Sequence, residues 1–328
     1  MQNARKGRYR NVSAFLFEKK WGEKLSNIHL ERQKKRANDE FYTLLEDVKK
    51  LVDMYKDNLK DKVIYCNCDN PDKSNFYKYL KDKFHDYGFK KIICTYLDDE
   101  CSYLTIYDGE ETRTKLKGNG SYDSKECIEL LKSSDVIVTN PPFSKFRHYY
   151  RLLRKYDVDF ILISNLNCIA YQDCFYDFRD GKVIMHNGRI RQFIAPNGEI
   201  KNVGLATVIS TLDIGQPFKH WDLKKTLDEE IHVKYDNYLA LNCDRSLNYP
   251  IDYYGVVGVP VSFLNKMDRK RFEILGVSQG FDIEVAKLFD KNWKNEYNLT
   301  RRDNAVMNGK YKFKRIFVRQ RRGYCDKD

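Results

Sequence analysis

The chain has 328 residues, enough for one large or two modest domains, and its 42% hydrophobic and 14% aromatic content excludes a disordered chain. No run approaches the roughly 18 consecutive apolar residues of a transmembrane helix, and no apolar stretch follows the basic start of the chain as in a secretory signal. The sequence therefore predicts a cytoplasmic protein without a membrane partner. Nine cysteines, with neither a Cys-x-x-Cys pair nor zinc-ligand spacing, predict free thiols and no metal site.

The net charge of +12 lies at the two ends of the chain. Residues 1–38 carry a net +8 and residues 301–328 a net +7, whereas residues 39–300 carry a net −3. Basic ends around a nearly neutral centre are typical of a protein that binds a polyanion. A solvated basic tail without a partner is the alternative that charge alone leaves open.

Beyond the basic arm, predicted helices alternate with predicted strands. Apolar residues three and four apart predict a first helix from Leu44 to Tyr55, and short apolar runs predict strands at 62–66 and 91–97. Between these two strands, the spacing predicts one helix from Phe76 to Tyr87, which Gly88 closes. A chain that alternates in this way forms parallel βαβ units.

The alternation continues towards the middle of the chain. The pattern predicts a hairpin at 101–117, a helix N-capped by Asp123 with Glu126 three residues later, and a strand at 135–138. A further helical face and strand complete the series, and they comprise Phe146, Tyr149, Tyr150 and Leu153, then residues 160–164. The predicted fold is α/β, a doubly wound and mostly parallel sheet.

The pattern changes from about residue 168. Residues 183–212 are β-rich, with hairpin turns predicted at Asn187-Gly188 and Asn197-Gly198. Residues 213–300 have an irregular rhythm that predicts loops, with polar side chains to offer to a partner at Asn242, Arg245, Asn248 and Asn265.

Three polar segments follow predicted strands directly, and these are Asn67–Asp69, Asp98–Asp99 and Asn140–Phe143. Ligands bind doubly wound sheets at the carboxyl ends of the strands, so we expect these segments to share one site.

Asn140-Pro141-Pro142-Phe143 carries the sharpest chemical signal. The two prolines make the chain extended and rigid, so the Asn140 amide oxygen and the Pro141 carbonyl can converge on one point. Two acceptors on the N–H groups of an exocyclic base amine draw its nitrogen towards tetrahedral geometry, from which it can attack a methyl group. Phe143 offers an aromatic face to the base. A rigid loop between strand and helix is the structural alternative.

Asp39-Glu40-Phe41-Tyr42-Thr43 precedes the first predicted helix and has two interpretations. In the structural one, Thr43 is the N-cap and Phe41 or Tyr42 a hydrophobic staple. In the functional one, Phe41 packs on an adenine ring and Thr43 binds a carboxylate.

The turn from Cys66 to Pro71 lies where nucleotide-binding sheets carry a glycine-rich loop, yet it contains no glycine. Without glycine a pyrophosphate is harder to approach, which favours a phosphate-free cofactor. Asp98 or Asp99 could hold ribose hydroxyls, although paired aspartates in an exposed loop are also common.

The chain resembles the EcoRI-type adenine-specific DNA methyltransferases. The resemblance rests on segments spread from residue 39 to about 319, namely Asp39–Thr43, Val63–Pro71 with Ser74–Phe76, Asn140–Phe143, Asp252–Leu264, Phe272–Gly276 and Gly309–Ile316. In this family the cofactor segments precede the catalytic tetrapeptide, and a target-recognition region comes last. The resemblance therefore implies a catalytic domain (39–212) and a DNA target-recognition region with a basic C-terminal end (213–328). The basic arm (1–38) lies outside the resemblance and is assigned as a separate part from its charge alone.

The resemblance implies methyl transfer from S-adenosyl-L-methionine to N6 of a flipped adenine in double-stranded DNA, by a monomer without a metal, as the modification enzyme of a restriction-modification system. The implied catalytic residues are Asn140, Pro141, Pro142 and Phe143. The implied cofactor-binding residues are Phe41, Tyr42, Thr43, Asn67, Cys68, Asp69, Asp98, Asp99 and Asp123. Two alternatives remain, a methyltransferase acting on RNA guanine N2 or a protein glutamine amide, and an inactive nucleic-acid-binding module.

Overall fold

A computed structural model of the chain describes residues 41–98, 101–195, 197–214, 221–278, 283–297, 299–300 and 304–324. The predicted basic arm (1–38) and the candidate ribose-binding residue Asp99 lie outside the described residues.

The α-helices of the described part alternate with strands up to residue 179. Their bounds are α1 (Leu45–Leu59), α2 (Asn75–Asp82), α3 (Phe84–Tyr87), α4 (Lys125–Lys132), α5 (Phe146–Tyr156), α6 (Gln172–Arg179) and α7 (Ile283–Leu288). Short 3-10 helices lie at Phe143–Lys145, Leu166–Ala170, Ser246–Asn248 and Val261–Lys266. The four apolar residues predicted to share one face of α5 are all buried, so that helical prediction is confirmed.

Three local predictions about helix ends are wrong. The predicted single helix from Phe76 to Tyr87 is interrupted at Lys83 and forms two helices. The Phe84 ring at the start of the second helix packs edge-on against the Tyr107 ring, with ring centres 4.9 Å apart. Gly88 does close the second piece, with φ of +67°. Thr43 does not cap α1, because it lies in a strand. Ser124 rather than Asp123 caps α4, since its hydroxyl accepts from the Cys127 N–H.

The main sheet has nine described strands. In chain order they are β1 (Tyr42–Thr43), β2 (Val63–Cys66), β3 (Lys91–Cys94), β4 (Tyr103–Tyr107), β5 (Glu111–Lys115), β6 (Val136–Thr139), β7 (Asp159–Asn165), β8 (Ile184–Ile194) and β9 (Ile200–Ser210). Their order across the sheet is β1-β8-β9-β7-β6-β2-β3-β4-β5. The β7-β6-β2-β3 core is parallel, while the outer strands pair antiparallel. The α/β doubly wound fold is confirmed, with its parallel strands at the centre.

The direction of winding reverses between β2 and β6. From β2 the chain moves to β3 on one side, and from β6 it moves to β7 on the other. The helices that connect such strands diverge at this point, so a crevice opens beyond the carboxyl ends of β2 and β6. Asn67 follows β2 and Asn140 follows β6, which sets both at the crevice.

The hairpin of β8 and β9 is confirmed, but only one of its two predicted turns exists. The turn at Asn197-Gly198 joins the strands, with Gly198 at φ of +84° and its N–H bonded to Ala195. Asn187-Gly188 instead lies within β8, where the pairing shifts register between Met185 and Arg189. An Asn-Gly pair also suits an irregular strand, so the local sequence does not distinguish the two.

The prediction of loops over 213–300 is wrong in part, because this segment supplies strands to a second sheet. That sheet has the order β10-β11-β15-β12, with β10 (Leu241–Asn242), β11 (Val256–Pro260), β12 (Phe272–Val277) and β15 (Arg315–Gln320). A small hairpin, β13 (Val306–Met307) and β14 (Lys310–Tyr311), precedes β15. Of the polar residues expected to meet a partner, Asn242 and Asn265 are buried.

The two sheets share a hydrophobic core. One cluster of buried side chains joins Tyr65, Ile137 and Phe160 of the main sheet to Phe272 and Ile316 of the second. The opposite face of the main sheet is covered by α1 and α2, which form a separate cluster with the parallel strands. The eight described cysteines are all free. Within the described ranges, no helix is long and apolar enough to cross a membrane.

Candidate active site

A cavity of about 530 Å³ opens at the carboxyl ends of the parallel strands. Its walls come from the segments after β2, β3 and β6, from a loop before α4, and from the residues that enter β1. The lining residues are Phe41, Tyr42, Asn67, Cys68, Asp69, Asn70, Lys73, Tyr96, Leu97, Asp98, Gly120, Ser121, Tyr122, Asn140, Pro142, Ser144 and Lys145. The expectation that these segments meet at one site is therefore met by the fold.

The structure brings most of the predicted site residues to this cavity. Those that line it are Phe41, Tyr42, Asn67, Cys68, Asp69, Asp98, Asn140 and Pro142. Thr43 and Pro141 are buried beside it without lining it. The Phe143 ring packs edge-on against Phe193, with ring centres 6.1 Å apart. Asp123 is exposed, outside the lining, and accepts a hydrogen bond from Ser121.

The side-chain amide of Asn140 has a hydrogen-bond partner at its nitrogen but none at its oxygen. Its Nδ2 donates to the Phe41 carbonyl over 2.6 Å, and this contact assigns the orientation of the amide. Its Oδ1 is buried and has no hydrogen-bond partner among the described residues. A buried carbonyl oxygen without a donor costs free energy, so such atoms in proteins are usually satisfied. The arrangement offers an acceptor to a group that comes from outside.

Asp69 ties the end of β2 to the end of β6. Its carboxylate is 3% exposed and accepts from the hydroxyls of Ser74, over 2.6 Å, and Thr139, and from the Asn140 backbone N–H. Burial raises the pKa of Asp69 to about 6, although each of these hydrogen bonds lowers it. A carboxylate with three donors from its own chain holds the Asn140 backbone in place.

Two further buried polar atoms at the site lack partners among the described residues. Asn67 accepts from the Tyr149 hydroxyl over 2.6 Å, which leaves its Nδ2 without an acceptor. Thr43 Oγ1 is also buried without a partner, while the Thr43 carbonyl accepts from the Asn75 amide. Unsatisfied buried groups around one cavity indicate that a polar ligand completes them.

Comparison with known sequences shows the family to which the chain belongs. The sequence matches the family described as "Adenine-specific methyltransferase EcoRI" over residues 29–115 and 105–321, which is most of the chain. The chain belongs to this family. The resemblance inferred from the sequence is thereby confirmed, and the protein is a DNA methyltransferase of the EcoRI type.

Individual relatives agree with the family. This methyltransferase is 35% identical to the Type II methyltransferase M.EcoRI of Escherichia coli, in an alignment of 299 residues that covers 78% of this chain and 91% of the relative. It is 32% identical to M.MpnI of Mycoplasma pneumoniae, with 75% and 85% covered. It is 28% identical to M.MgeORF184P of Mycoplasma genitalium, with 89% and 98% covered. Both are also named Type II methyltransferases.

Sequence reasoning missed two cations at the rim of the cavity of this methyltransferase. Lys73 follows the turn after β2 and Lys145 follows the Asn140–Phe143 segment, and both are exposed where they line the cavity. They come from segments 72 residues apart, so no local pattern links them. They make the mouth of the cavity favourable for an anionic group.

The loop before α4 was also missed, and it forms a wall of the cavity through Gly120, Ser121 and Tyr122. Gly120 has φ of +71°, and a Cβ built on it would lie 2.1 Å from the Tyr96 carbonyl oxygen. Only glycine fits that backbone conformation and that close approach. The Lys117-Gly118-Asn119-Gly120 stretch is the sequence signal from which this tight loop could have been inferred.

Proposed function

We propose that this chain transfers a methyl group from S-adenosylmethionine to N6 of a specific adenine in double-stranded DNA. The observation that carries the proposal is the Asn140 amide, whose nitrogen is held by the Phe41 carbonyl and whose oxygen is buried without a partner at the cavity. An acceptor with no donor of its own suits a substrate N–H group.

The substrate amine needs a second acceptor and a surface for the ring. The Pro141 carbonyl is the candidate, because it follows Asn140 on a chain that two prolines keep extended, with Pro142 at φ of −62° and ψ of 122°. Two acceptors on one amine disfavour delocalisation of its lone pair into the ring, so the nitrogen becomes a better nucleophile. Phe143, the half-buried last residue of the tetrapeptide, is proposed to pack on the base.

The cavity suits S-adenosylmethionine on two grounds. An unpartnered buried polar atom of Asn67 lies in its wall and one of Thr43 lies beside it. The cations of Lys73 and Lys145 lie at its rim, where a carboxylate would be favoured. When bound, this cofactor supplies a methyl group already activated on a sulfonium. The residues proposed to hold it are Phe41, Tyr42, Thr43, Asn67, Cys68, Asp69 and Asp98, and the roles of Asp99 and Asp123 stay predictions.

The amine of an adenine that is stacked in a duplex is out of reach of a cavity at the strand ends, so the target base must leave the stack. This costs a few kcal/mol, which contacts in the cavity offset. The basic ends of the chain are proposed to contact phosphates. Residues 213–328 are proposed to read the target sequence, since the carboxyl edge of the main sheet is occupied by the cavity. The chain is also proposed to act as a monomer and to serve as the modification enzyme of a restriction-modification system.

The test is long-read sequencing of DNA from a methylation-free host that expresses the chain. We expect N6-methyladenine at one short sequence motif, and an unmodified genome in a host expressing Asn140→Ala. Transfer of labelled methyl groups to purified DNA, RNA and protein distinguishes the rival substrates. Label in RNA or protein but not in DNA would refute the proposal, as would an unmodified genome with the unsubstituted chain.

A further inference from the structure

An aromatic side chain projects into solvent from the segment that leads into β15. Phe313 is 67% exposed, the largest exposure among the large apolar side chains that the structure describes, and Tyr311 two residues earlier is 39% exposed. A single exposed apolar side chain is common, but exposed apolar side chains that lie close together can mark an interaction site, and these two aromatic residues are two positions apart on one segment. Residues 309–315, Gly-Lys-Tyr-Lys-Phe-Lys-Arg, are called the lysine–aromatic segment below.

The turn at the start of the lysine–aromatic segment is held rigidly. Asn308 and Gly309 have φ of +51° and +68°, the backbone of a two-residue hairpin turn between β13 and β14. The Asp236 carboxylate accepts from both turn amides, over 3.1 Å from Asn308 and 2.9 Å from Gly309. Loop closure therefore costs little further entropy when a partner binds.

The backbone around Phe313 is anchored on both sides. The Lys312 N–H donates to the Ala305 carbonyl over 2.8 Å, and the Arg315 guanidinium donates to the Phe313 carbonyl over 3.1 Å. Lys312 and Arg315 also bond to the same carboxylate of Asp244, over 3.0 and 2.6 Å. The backbone that carries the Phe313 ring is thus held in place on both sides.

The stretch of chain that carries the exposed ring is strongly basic. Residues 304–324 contain seven Lys and Arg and no Asp or Glu. Lys312 and Arg315 share the single carboxylate of Asp244, and Arg319 pairs with Glu273. Lys310 is exposed and makes no ion pair with any described residue. A partner that fits must combine negative charge with flat apolar faces, and nucleic acid does so through its phosphates and bases.

We propose that Phe313 inserts against the bases of the duplex DNA substrate while Lys310 contacts a phosphate. This inference rests on the proposed function, because it takes duplex DNA as the substrate. An aromatic or apolar wedge at a base step contributes contact area that is independent of charge, and a lysine beside it contributes a salt-dependent attraction. A second copy of the chain is a poorer occupant, because a symmetric contact would bring the same cations together.

The experiment measures binding of a short fluorescein-labelled duplex of mixed sequence to the full chain at several salt concentrations. Phe313→Ala should weaken binding by roughly tenfold or more, as loss of base–aromatic stacking does in nucleic-acid-binding proteins. The slope of log affinity against log salt concentration should be the same for this variant as for the unsubstituted chain. Lys310→Ala should instead reduce that slope by about one, the change expected for one lost phosphate contact.

Three controls separate stacking from damage to the fold. Phe313→Trp keeps an aromatic face and should retain the affinity. Met54→Ala removes an apolar side chain that is 46% exposed on α1, and it should leave binding unchanged. The melting temperature of Phe313→Ala should equal that of the unsubstituted chain, because an exposed ring contributes little to the core.

An unchanged affinity of Phe313→Ala would overturn the inference. It would also be overturned if Phe313→Ala altered the sedimentation of the chain but not its affinity for DNA, since the ring would then contact a second copy. Labelled methyl transfer from S-adenosylmethionine to plasmid DNA is measured on the same unsubstituted preparation. Failure of that transfer refutes the proposed function, and it is distinguishable from a failure of Phe313→Ala to weaken binding.

Discussion

The proposed reaction depends most directly on the side-chain amide of Asn140. Asn140→Ala removes the open acceptor and no core packing, so we expect methyl transfer to fall by about 100- to 1,000-fold, as when one preorganised hydrogen-bonding group is lost. Cofactor and DNA affinity should stay within a few-fold of the parent. Single-turnover rates and binding titrations check both parts. Asn140→Asp keeps an acceptor but loses the donor to the Phe41 carbonyl, and it should retain part of the rate.

The Asp69 carboxylate predicts how activity depends on pH. Its pKa is raised to about 6 by burial, so below that pH one oxygen becomes a donor and the three hydrogen bonds it accepts cannot all persist. We expect kcat/KM to fall as the pH drops through about 6. This group does not favour unfolding there, because the folded state binds its proton more tightly than the unfolded chain, and stability from Asp69 increases as pH falls towards 4.

The matched variant for this prediction is Asp69→Asn, which has no proton to gain in this range. Its rate should be lower than that of the parent, and its pH profile should lack the limb near 6. Melting temperatures at each pH confirm that both proteins are folded where rates are compared. If kcat/KM of Asp69→Asn still falls as the pH drops through about 6, another group is responsible for the pH dependence.

Among the structural elements, the tight loop before α4 forms a wall of the cavity and has little room for any change at Gly120. Gly120→Ala would require a side chain at φ of +71° and 2.1 Å from the Tyr96 carbonyl, so the loop or the segment after β3 must move. We expect a loss of about 1–3 kcal/mol in the free energy of unfolding and a larger loss of cofactor affinity. Denaturant titration and calorimetric binding of S-adenosylmethionine measure the two.

Gly198→Ala is the control for backbone strain alone. It has φ of +84° in the β8–β9 turn, but a Cβ added there would have no neighbouring atom within 4 Å. It should lose stability without losing cofactor affinity. Equal effects of the two substitutions on cofactor binding would mean that the Gly120 loop is not a wall of the cofactor site.

At the scale of the whole molecule, the second sheet determines how recognition can be tested. The exchange of residues 213–300 with those of a relative of different specificity would separate β15 from its neighbours, because β15 pairs with β11 on one side and β12 on the other. An exchange that runs to Gln320 keeps all three strands from one source. We expect this longer chimera to methylate the relative's target sequence, as read by long-read sequencing.

The shorter exchange, over 213–300 alone, serves as the control and should fold less stably. Both chimeras must keep the buried residues that join the second sheet to the main one, such as Phe272 and Tyr249. If the longer chimera folds and methylates the original site, recognition must lie in the β8–β9 hairpin or in the basic ends.

Local features of this protein follow from the sequence by itself. The buried face of α5, the positions of β2, β6 and β7, and the tetrapeptide at the end of β6 were all predictable, because periodicity and proline geometry act within a few residues. The alternation of strands and helices predicted a parallel sheet, and the three polar segments that follow its strands were therefore expected at one edge. The family was also evident from the order of its motifs.

Tertiary structure decided the remainder, since it depends on contacts between distant parts of the chain. Thr43 looked like a helix cap, yet it pairs with Phe193 in a strand. The Asn140 amide is oriented by the Phe41 carbonyl, 99 residues away, and Asp69 meets Thr139 across 70 residues. The placement of β15 between β11 and β12 likewise has no local signal. Such pairings are selected by burial and hydrogen bonding in the assembled molecule, where the competing local preferences are only a few tenths of a kcal/mol to about 1 kcal/mol.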